Sequence, residues 1–100
     1  MLKFIVCAAF SMLSWSATAQ AVIRGYVKDK QTGQALPGAT VSLTESNRVQ
    51  VTDENGYFMF AQLTDGNYEA EIRFVGYKTL NQQLEANQLG WVSIQLEEDV

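Results

Sequence analysis

The sequence predicts an all-β protein, a seven-stranded antiparallel sandwich. Three observations lead there. Apolar and polar residues alternate over short windows, the period of a half-buried strand. Clusters of Gly, Asn, Asp, Thr and Ser separate those windows at near-regular spacing. Residues 52–68 place two tight turns on either side of one short aromatic strand.

Each strand follows from its own pattern. Residues 21–29 put Ile23, Gly25 and Val27 on one face and Arg24, Tyr26 and Lys28 on the other. Gly25, inside a strand, marks a place where another backbone or a large ring approaches closely. Residues 29–34 are a polar turn, and Leu36-Pro37-Gly38 is a bend, since Pro presets φ and Gly permits the reversal. Residues 39–44 alternate with Ala39, Val41 and Leu43 inward. A polar loop, 45–48, leads to a short strand at 49–52.

Asn55-Gly56 then reads as a hairpin turn, because Asn and Gly adopt positive φ cheaply. Asp53 stands where its carboxylate can accept backbone N–H bonds across that turn. Phe58 and Phe60 alternate with Tyr57 and Met59, so one face of this strand is aromatic and buried. Leu63, Gly66 and Tyr68 form a Leu-x-x-Gly-x-Tyr corner, similar to the tyrosine corner of Greek-key sandwiches, whose phenol bonds back to upstream backbone. Tyr68, Ala70, Ile72 and Phe74 face the core, while Glu69, Glu71 and Arg73 face water. Val75-Gly76-Tyr77 is a turn or bulge. Residues 78–84 form a weaker strand with Leu80 and Leu84 as its apolar contacts, and 85–90 a loop with room for one helical turn. Residues 91–96 close the sheet with Val92, Ile94 and Leu96 inward, and 98–100 form an acidic end.

Residues 1–19 read as a signal peptide. Lys3 supplies the positive start, 4–15 an apolar run, and Ala17-Thr18-Ala19 the small-x-small pattern before cleavage at Gln20. The run is shorter than the ~20 residues a spanning helix needs. Cys7 lies within it without the small preceding residue of a lipidation site, so a lipid anchor is not expected. One small domain, residues 20–97, remains. It would bury only about 60% of its unfolded surface, so its stability is modest. The protein is predicted to be exported.

Composition limits the chemistry. The chain has no His, and its only Cys is Cys7, inside the predicted leader. No Ser-His or Cys-His nucleophile can be built, nor a zinc site with the usual N/S ligands. Glu69 and Glu71 share one strand face about 7 Å apart, with Arg73 next in the row, which is a solvated surface rather than a working acid–base pair. Asp53-Glu54-Asn55-Gly56 lacks the alternating carboxylates and distant Glu of an EF-hand calcium loop. No catalytic, cofactor or metal residues are assigned, and the protein is expected not to be an enzyme. A formal charge of −4 and the lack of any basic cluster argue against nucleic acid and anionic membranes.

Taken together, Ile23-x-Gly25-x-Val27-x-Asp29, Thr32-Gly33-x-x-Leu36-Pro37-Gly38-Ala39-x-Val41-x-Leu43, Thr52-Asp53-x-x-Gly56-x-Phe58, Leu63-x-x-Gly66-x-Tyr68 and Phe74-Val75-Gly76-Tyr77 resemble the carboxypeptidase regulatory-like domain. The resemblance covers essentially the whole chain after the leader and implies a transthyretin-like Greek-key sandwich. It does not imply peptidase activity, since the enzymes that share the name carry their zinc chemistry in a separate domain. With an export signal, Leu-Pro-Gly-Ala and Val-Gly-Tyr, the chain most resembles the domain at the N-terminus of SusC-like TonB-dependent outer-membrane receptors of Bacteroidetes-type bacteria. The sequence stops at Val100, before a plug or barrel, and either a leading piece of such a receptor or a free-standing periplasmic copy fits it. Related sandwiches form an internal Lys–Asn or Lys–Asp cross-link promoted by a Glu, but Ile72 and Val27 stand where the Glu and Lys would be.

The resemblance implies a non-catalytic periplasmic module at the outer membrane, with a protein partner in the cell envelope and no membrane span in this chain. Tyr57, Tyr77 and Trp91 are the candidate interaction surface, since they and Tyr26 do not all fit one inner face and exposed aromatics are enriched at interfaces; Tyr77 and Trp91 could instead cover the sandwich ends as partly buried rings. The alternative function is a carbohydrate-binding or adhesive sandwich, with Trp91 and the tyrosines stacking on sugars.

Overall fold

Alternation along the longest strand sets the architecture. In β1 (Ala21–Asp29), Ala21, Ile23, Gly25, Val27 and Asp29 are buried, and Val22, Arg24, Tyr26 and Lys28, which alternate with them, point outward. The computed structural model describes residues 20–100, so the predicted leader lies outside the described residues. Six further strands follow: β2 (Thr40–Leu43), β3 (Arg48–Val51), β4 (Tyr57–Leu63), β5 (Gly66–Arg73), β6 (Leu80–Ala86) and β7 (Trp91–Leu96). They form two sheets, ordered β4-β1-β7 and β3-β2-β5-β6. The described residues are thus the all-β, seven-stranded sandwich that the patterning predicts.

Between the sheets lies one apolar core. Ile23 and Val27 of β1, Phe58 and Phe60 of β4 and Ile94 and Leu96 of β7 meet Val41, Leu43, Ala70, Ile72 and Leu84 from the facing sheet. The Phe58 and Phe60 rings meet edge to face at 6.0 Å. Burying each large apolar side chain contributes roughly 1.5–3 kcal/mol, which matters in a domain that holds no cysteine among its described residues. Tyr68, Phe74, Tyr77, Leu80 and Val92 are only partly buried and pack against this core from its margins. Val27 and Ile72, at the positions where a cross-linking sandwich would hold Lys and Glu, are fully buried apolar residues.

Three features differ from the sequence reading. Four of the five strand pairings are antiparallel, but β1 and β7 run parallel, from Arg24 opposite Trp91 to Asp29 opposite Leu96. Parallel neighbours cannot be joined by a tight turn, and here five strands intervene. Second, Asn55-Gly56 is not a hairpin between paired strands. The turn is locally tight: Gly56 N–H donates to the Asp53 carbonyl at 2.9 Å, and Asp53 N–H to that of Tyr57 at 3.0 Å. Yet β3 before it and β4 after it belong to different sheets. Only Gly56, at φ 78, adopts the left-handed conformation, and a Cβ there would lie 2.7 Å from the Val27 carbonyl oxygen. The Leu63–Tyr68 corner likewise crosses between sheets, from β4 to β5, as the tyrosine corner of a Greek-key sandwich does. The paired hairpins are β2–β3 and β5–β6. Third, β6 runs on to Ala86, which is buried, and residues 85–90 hold no helical turn. Asn87 stops the strand instead, its side-chain oxygen accepting the N–H groups of Leu89 (3.1 Å) and Gly90 (2.6 Å). Asn is suited to this because its side chain can cap its own backbone two residues on.

The acidic end is tied to the body. Glu98 bridges to Tyr77, and Asp99 N–H donates to the Gly76 carbonyl at 2.9 Å.

Candidate functional site

The outward positions of β4, β1 and β7 carry an aromatic cluster. Register explains it: Tyr26 on the central strand stands opposite Tyr57 of β4, and Arg24 opposite both Met59 of β4 and Trp91 of β7. The Tyr26 ring lies 5.4 Å from Tyr57 and 6.1 Å from Trp91, nearly parallel to the indole at 8°. Tyr57 and Trp91 are 6.2 Å apart, so the three rings touch as one group. Such spacings lie in the range where aromatic pairs attract beyond simple area burial. Trp91 nevertheless remains 54% exposed, and Tyr26 and Met59 39% each.

Two cations join the rings. The Arg24 guanidinium carbon lies 4.5 Å from the Trp91 ring centroid, and Arg24 Nε donates to the Leu89 carbonyl at 2.8 Å. Lys28 Nζ stands 5.5 Å over Tyr26. The Tyr57 hydroxyl reaches Met59 Sδ at 3.4 Å. Cation–π contacts and a main-chain bond hold these groups before any partner arrives, which lowers the entropy lost on binding.

The structure brings Tyr57 and Trp91 together and adds Tyr26, but it places Tyr77 elsewhere. Tyr77 lies between β5 and β6, packs against Phe74 with ring centroids 5.5 Å apart, and donates its hydroxyl to Asp29 Oδ2 at 2.5 Å. It is a clasp between the two sheets, not part of the exposed cluster. Asp29 completes the clasp by accepting the N–H groups of Gln31 (2.7 Å) and Thr32 (2.9 Å) on Oδ1. The Tyr77 hydroxyl foremost, and then these backbone donors, hold the Asp29 carboxyl below its ordinary range. The same hydrogen bond, helped by burial and the negative charges of Asp29 and Glu98, pushes the Tyr77 phenol up to about 12.

The remaining predicted residues shape the two sheet crossings. Asp53 Oδ1 accepts the N–H groups of Asn55 (2.8 Å) and Tyr57 (3.0 Å), so this cap also fixes the start of the strand that presents Tyr57. Leu63 is buried, Gly66 opens β5 at φ 143, and the Tyr68 hydroxyl donates to the Thr64 carbonyl at 2.9 Å.

Sequence reasoning missed Thr52. Its buried hydroxyl donates to the Leu36 carbonyl at 2.7 Å and accepts Ala39 N–H at 2.8 Å, which ties the Pro37-Gly38 bend to the end of β3. A signal was present: Arg48, Gln50 and Thr52 share one parity, and a hydroxyl at the inward end of a strand needs a backbone partner. Asp29 likewise falls on the inward parity of β1 with Ile23 and Val27.

Among the described residues, no three His, Cys, Asp or Glu side chains stand close enough to hold a metal ion, and no helix is long and apolar enough to cross a membrane. The candidate site is a sheet face, not a cleft, which defines the class as a β-sandwich module that offers a surface. Sequence comparison gives the family: the chain belongs to the CarboxypepD_reg-like domain family, which it matches over residues 23–100. No curated protein matches it significantly. Among solved structures, it is similar to a chain in the crystal structure of a type II cohesin–X–dockerin complex from Acetivibrio cellulolyticus carrying a C-terminal interface mutation. The TM-score is 0.58 at 21% identity, over 74% of this chain and 51% of that one. This chain thus spans about half the length of its structural neighbour, and the likeness is one of fold.

Proposed function

We propose that this chain is a non-catalytic protein-interaction module of the cell envelope, the N-terminal periplasmic domain of a SusC-like TonB-dependent outer-membrane receptor. The observation that carries the interaction reading is the Tyr26–Tyr57–Trp91 cluster, three rings in contact and still open to solvent on one sheet face. Aromatic residues and Arg on an exposed patch are what recognition surfaces concentrate. Family membership supports the reading, and the neighbouring structure is itself a protein–protein complex. The side-chain inventory agrees, because a sequence without His, whose single Cys sits in the leader-like segment, lacks the common nucleophile–base pairs. The envelope location rests on that leader-like segment and on the receptor-like motifs.

The test uses the natural gene product in its own host. The mature protein is expected to begin at Gln20, to fractionate with the outer membrane as a much longer polypeptide, and to lose nutrient uptake when residues 20–97 are deleted while the barrel still inserts. Normal uptake and normal partner binding after that deletion would count against the reading.

A second reading has one observation in its favour: the half-exposed Trp91 indole, lying nearly parallel to Tyr26, is a surface on which a sugar ring could stack. A glycan screen of the chain, with Trp91→Ala as control, separates the two. Specific glycan binding lost in the variant favours the carbohydrate-binding module.

A further inference from the structure

The aromatic face is also a cationic island on an acidic domain. Alternation directs Arg24, Tyr26 and Lys28 outward from β1, Tyr57 and Met59 from β4, and Trp91 from β7. None of the outward positions of these three strands is Asp or Glu, although the chain holds 11 acidic residues against 7 basic ones. Asp29, the one carboxylate within β1, points inward and is bound to Tyr77. Among the described residues, Arg24 and Lys28 have no carboxylate partner; the two ion pairs are Arg73–Glu71 and Lys78–Glu97. Arg24 uses Nε on the Leu89 carbonyl and rests on the Trp91 ring, so its guanidinium is oriented before a partner binds. An oriented guanidinium suits a carboxylate, which it can grip with two parallel N–H···O bonds.

We infer that this face binds an extended acidic polypeptide segment with carboxylates four residues apart and an apolar or aromatic side chain midway between them. The inference rests on the protein-interaction reading above and gives it a ligand class. The spacing follows from the strand: Arg24 and Lys28 are separated by four residues, about 13 Å along β1, with Tyr26 halfway between. A partner strand lying along β1 would project its positions i, i+2 and i+4 toward the sheet. A carboxylate at i would meet Arg24, an apolar side chain at i+2 the Tyr26–Tyr57–Trp91 group, and a carboxylate at i+4 Lys28. The two charge pairs set register, and the rings supply the buried centre. A neutral sugar would leave both cations unpaired, so the observations favour the peptide.

The test is selection of a displayed random 12-residue peptide library on the immobilised full chain, with affinities then measured in solution. Enrichment of acidic-x-apolar-x-acidic sequences is expected. Their binding should weaken about tenfold or more in Arg24→Gln, weaken in Lys28→Gln and fall with added salt. Lys28 is exposed, and its side-chain ammonium touches only the Tyr26 ring among the contacts described, so Lys28→Gln tests the proposal even where Trp91→Ala perturbs the sheet. Enriched peptides that need Trp91 but lack the acidic spacing would overturn this inference and leave the interaction reading standing. Binding of polygalacturonate in place of any peptide would overturn both. Self-association of the chain through this face, seen by sedimentation without peptide and abolished by Arg24→Gln, would also overturn the assignment of an acidic segment.

Discussion

Gly25→Ala is the sharpest test of how the central strand β1 meets the edge strand β7. Gly25 lies opposite Val92 in the parallel β1–β7 pair. A Cβ added there would sit 2.1 Å from the Val92 carbonyl oxygen, 2.9 Å from its Cγ2 and 3.0 Å from its carbonyl carbon. Two of these three atoms are main chain and cannot rotate away. Relief requires β7 to move off β1, which threatens a ladder running from Arg24 to Asp29. Overpacking a core costs about 1–3 kcal/mol, and immovable main-chain atoms put this site at the upper end. The gain from a stiffer unfolded chain returns about 0.4–1 kcal/mol. A net loss near 2 kcal/mol is a large share of the about 4–12 kcal/mol that a domain of this size holds. It lowers Tm by about 8–16 °C, at 4–8 °C per kcal/mol. Thermal unfolding followed by circular dichroism measures this. Adding Val92→Ala removes only the Cγ2 contact, so the double variant should stay destabilised. A Gly25→Ala protein melting within about 3 °C of wild type, or rescue by Val92→Ala, would refute the close main-chain approach.

Thr52→Val removes a hydroxyl that satisfies two buried backbone groups and should cost about 2–4 kcal/mol in urea unfolding, whereas Thr52→Ser keeps both bonds and costs under about 1.5 kcal/mol. Tyr68→Phe deletes the bond to the Thr64 carbonyl and should cost about 1 kcal/mol by the same measurement, the loss being modest because the site is partly wet. Tyr77→Phe should reshape the dependence of stability on pH. In the wild type the Asp29 carboxyl is depressed below its ordinary 3.8, so its contribution is complete above that value and is lost as pH falls through the lower folded value. The Tyr77 phenol is raised to about 12, so its contribution is complete below the ordinary phenol value of 10.0 and is lost as pH rises through about 12. The difference between wild type and Tyr77→Phe should therefore be largest across neutral pH and shrink toward both extremes. A difference that stays constant from acid to alkali in chemical denaturation would show that the clasp is not the origin of these shifts.

Period-two alternation is a property of neighbouring residues, so the linear chain already decides which side of each strand is apolar. Ile23 and Val27, Val41 and Leu43, Phe58 and Phe60, Ile72, Ile94 and Leu96 all turn inward as their spacing requires. The Asp53 cap and the Tyr68 corner are likewise local, each closing within four residues, and a turn of that size depends on little beyond its own side chains. The sequence is also enough to state what chemistry is missing, because a residue type that is not there cannot be assembled by folding.

Alternation, however, gives a strand a face without giving it a neighbour. Tight turns at Asn55-Gly56 and Gly66 look the same in a sequence whether the next strand pairs with the last or crosses to the other sheet, and here both cross. The parallel meeting of β1 with β7 joins residues more than sixty positions apart, as do Arg24 and Trp91 on the candidate surface. The bond between Asp29 and Tyr77 spans 48 positions. These contacts arise only when both sheets close over one core, since no local pattern encodes which distant side chain will lie across the ladder. So Tyr26 joins Tyr57 and Trp91 by strand register, while Tyr77, also a tyrosine, is drawn to a buried carboxylate and stands half-buried away from that face.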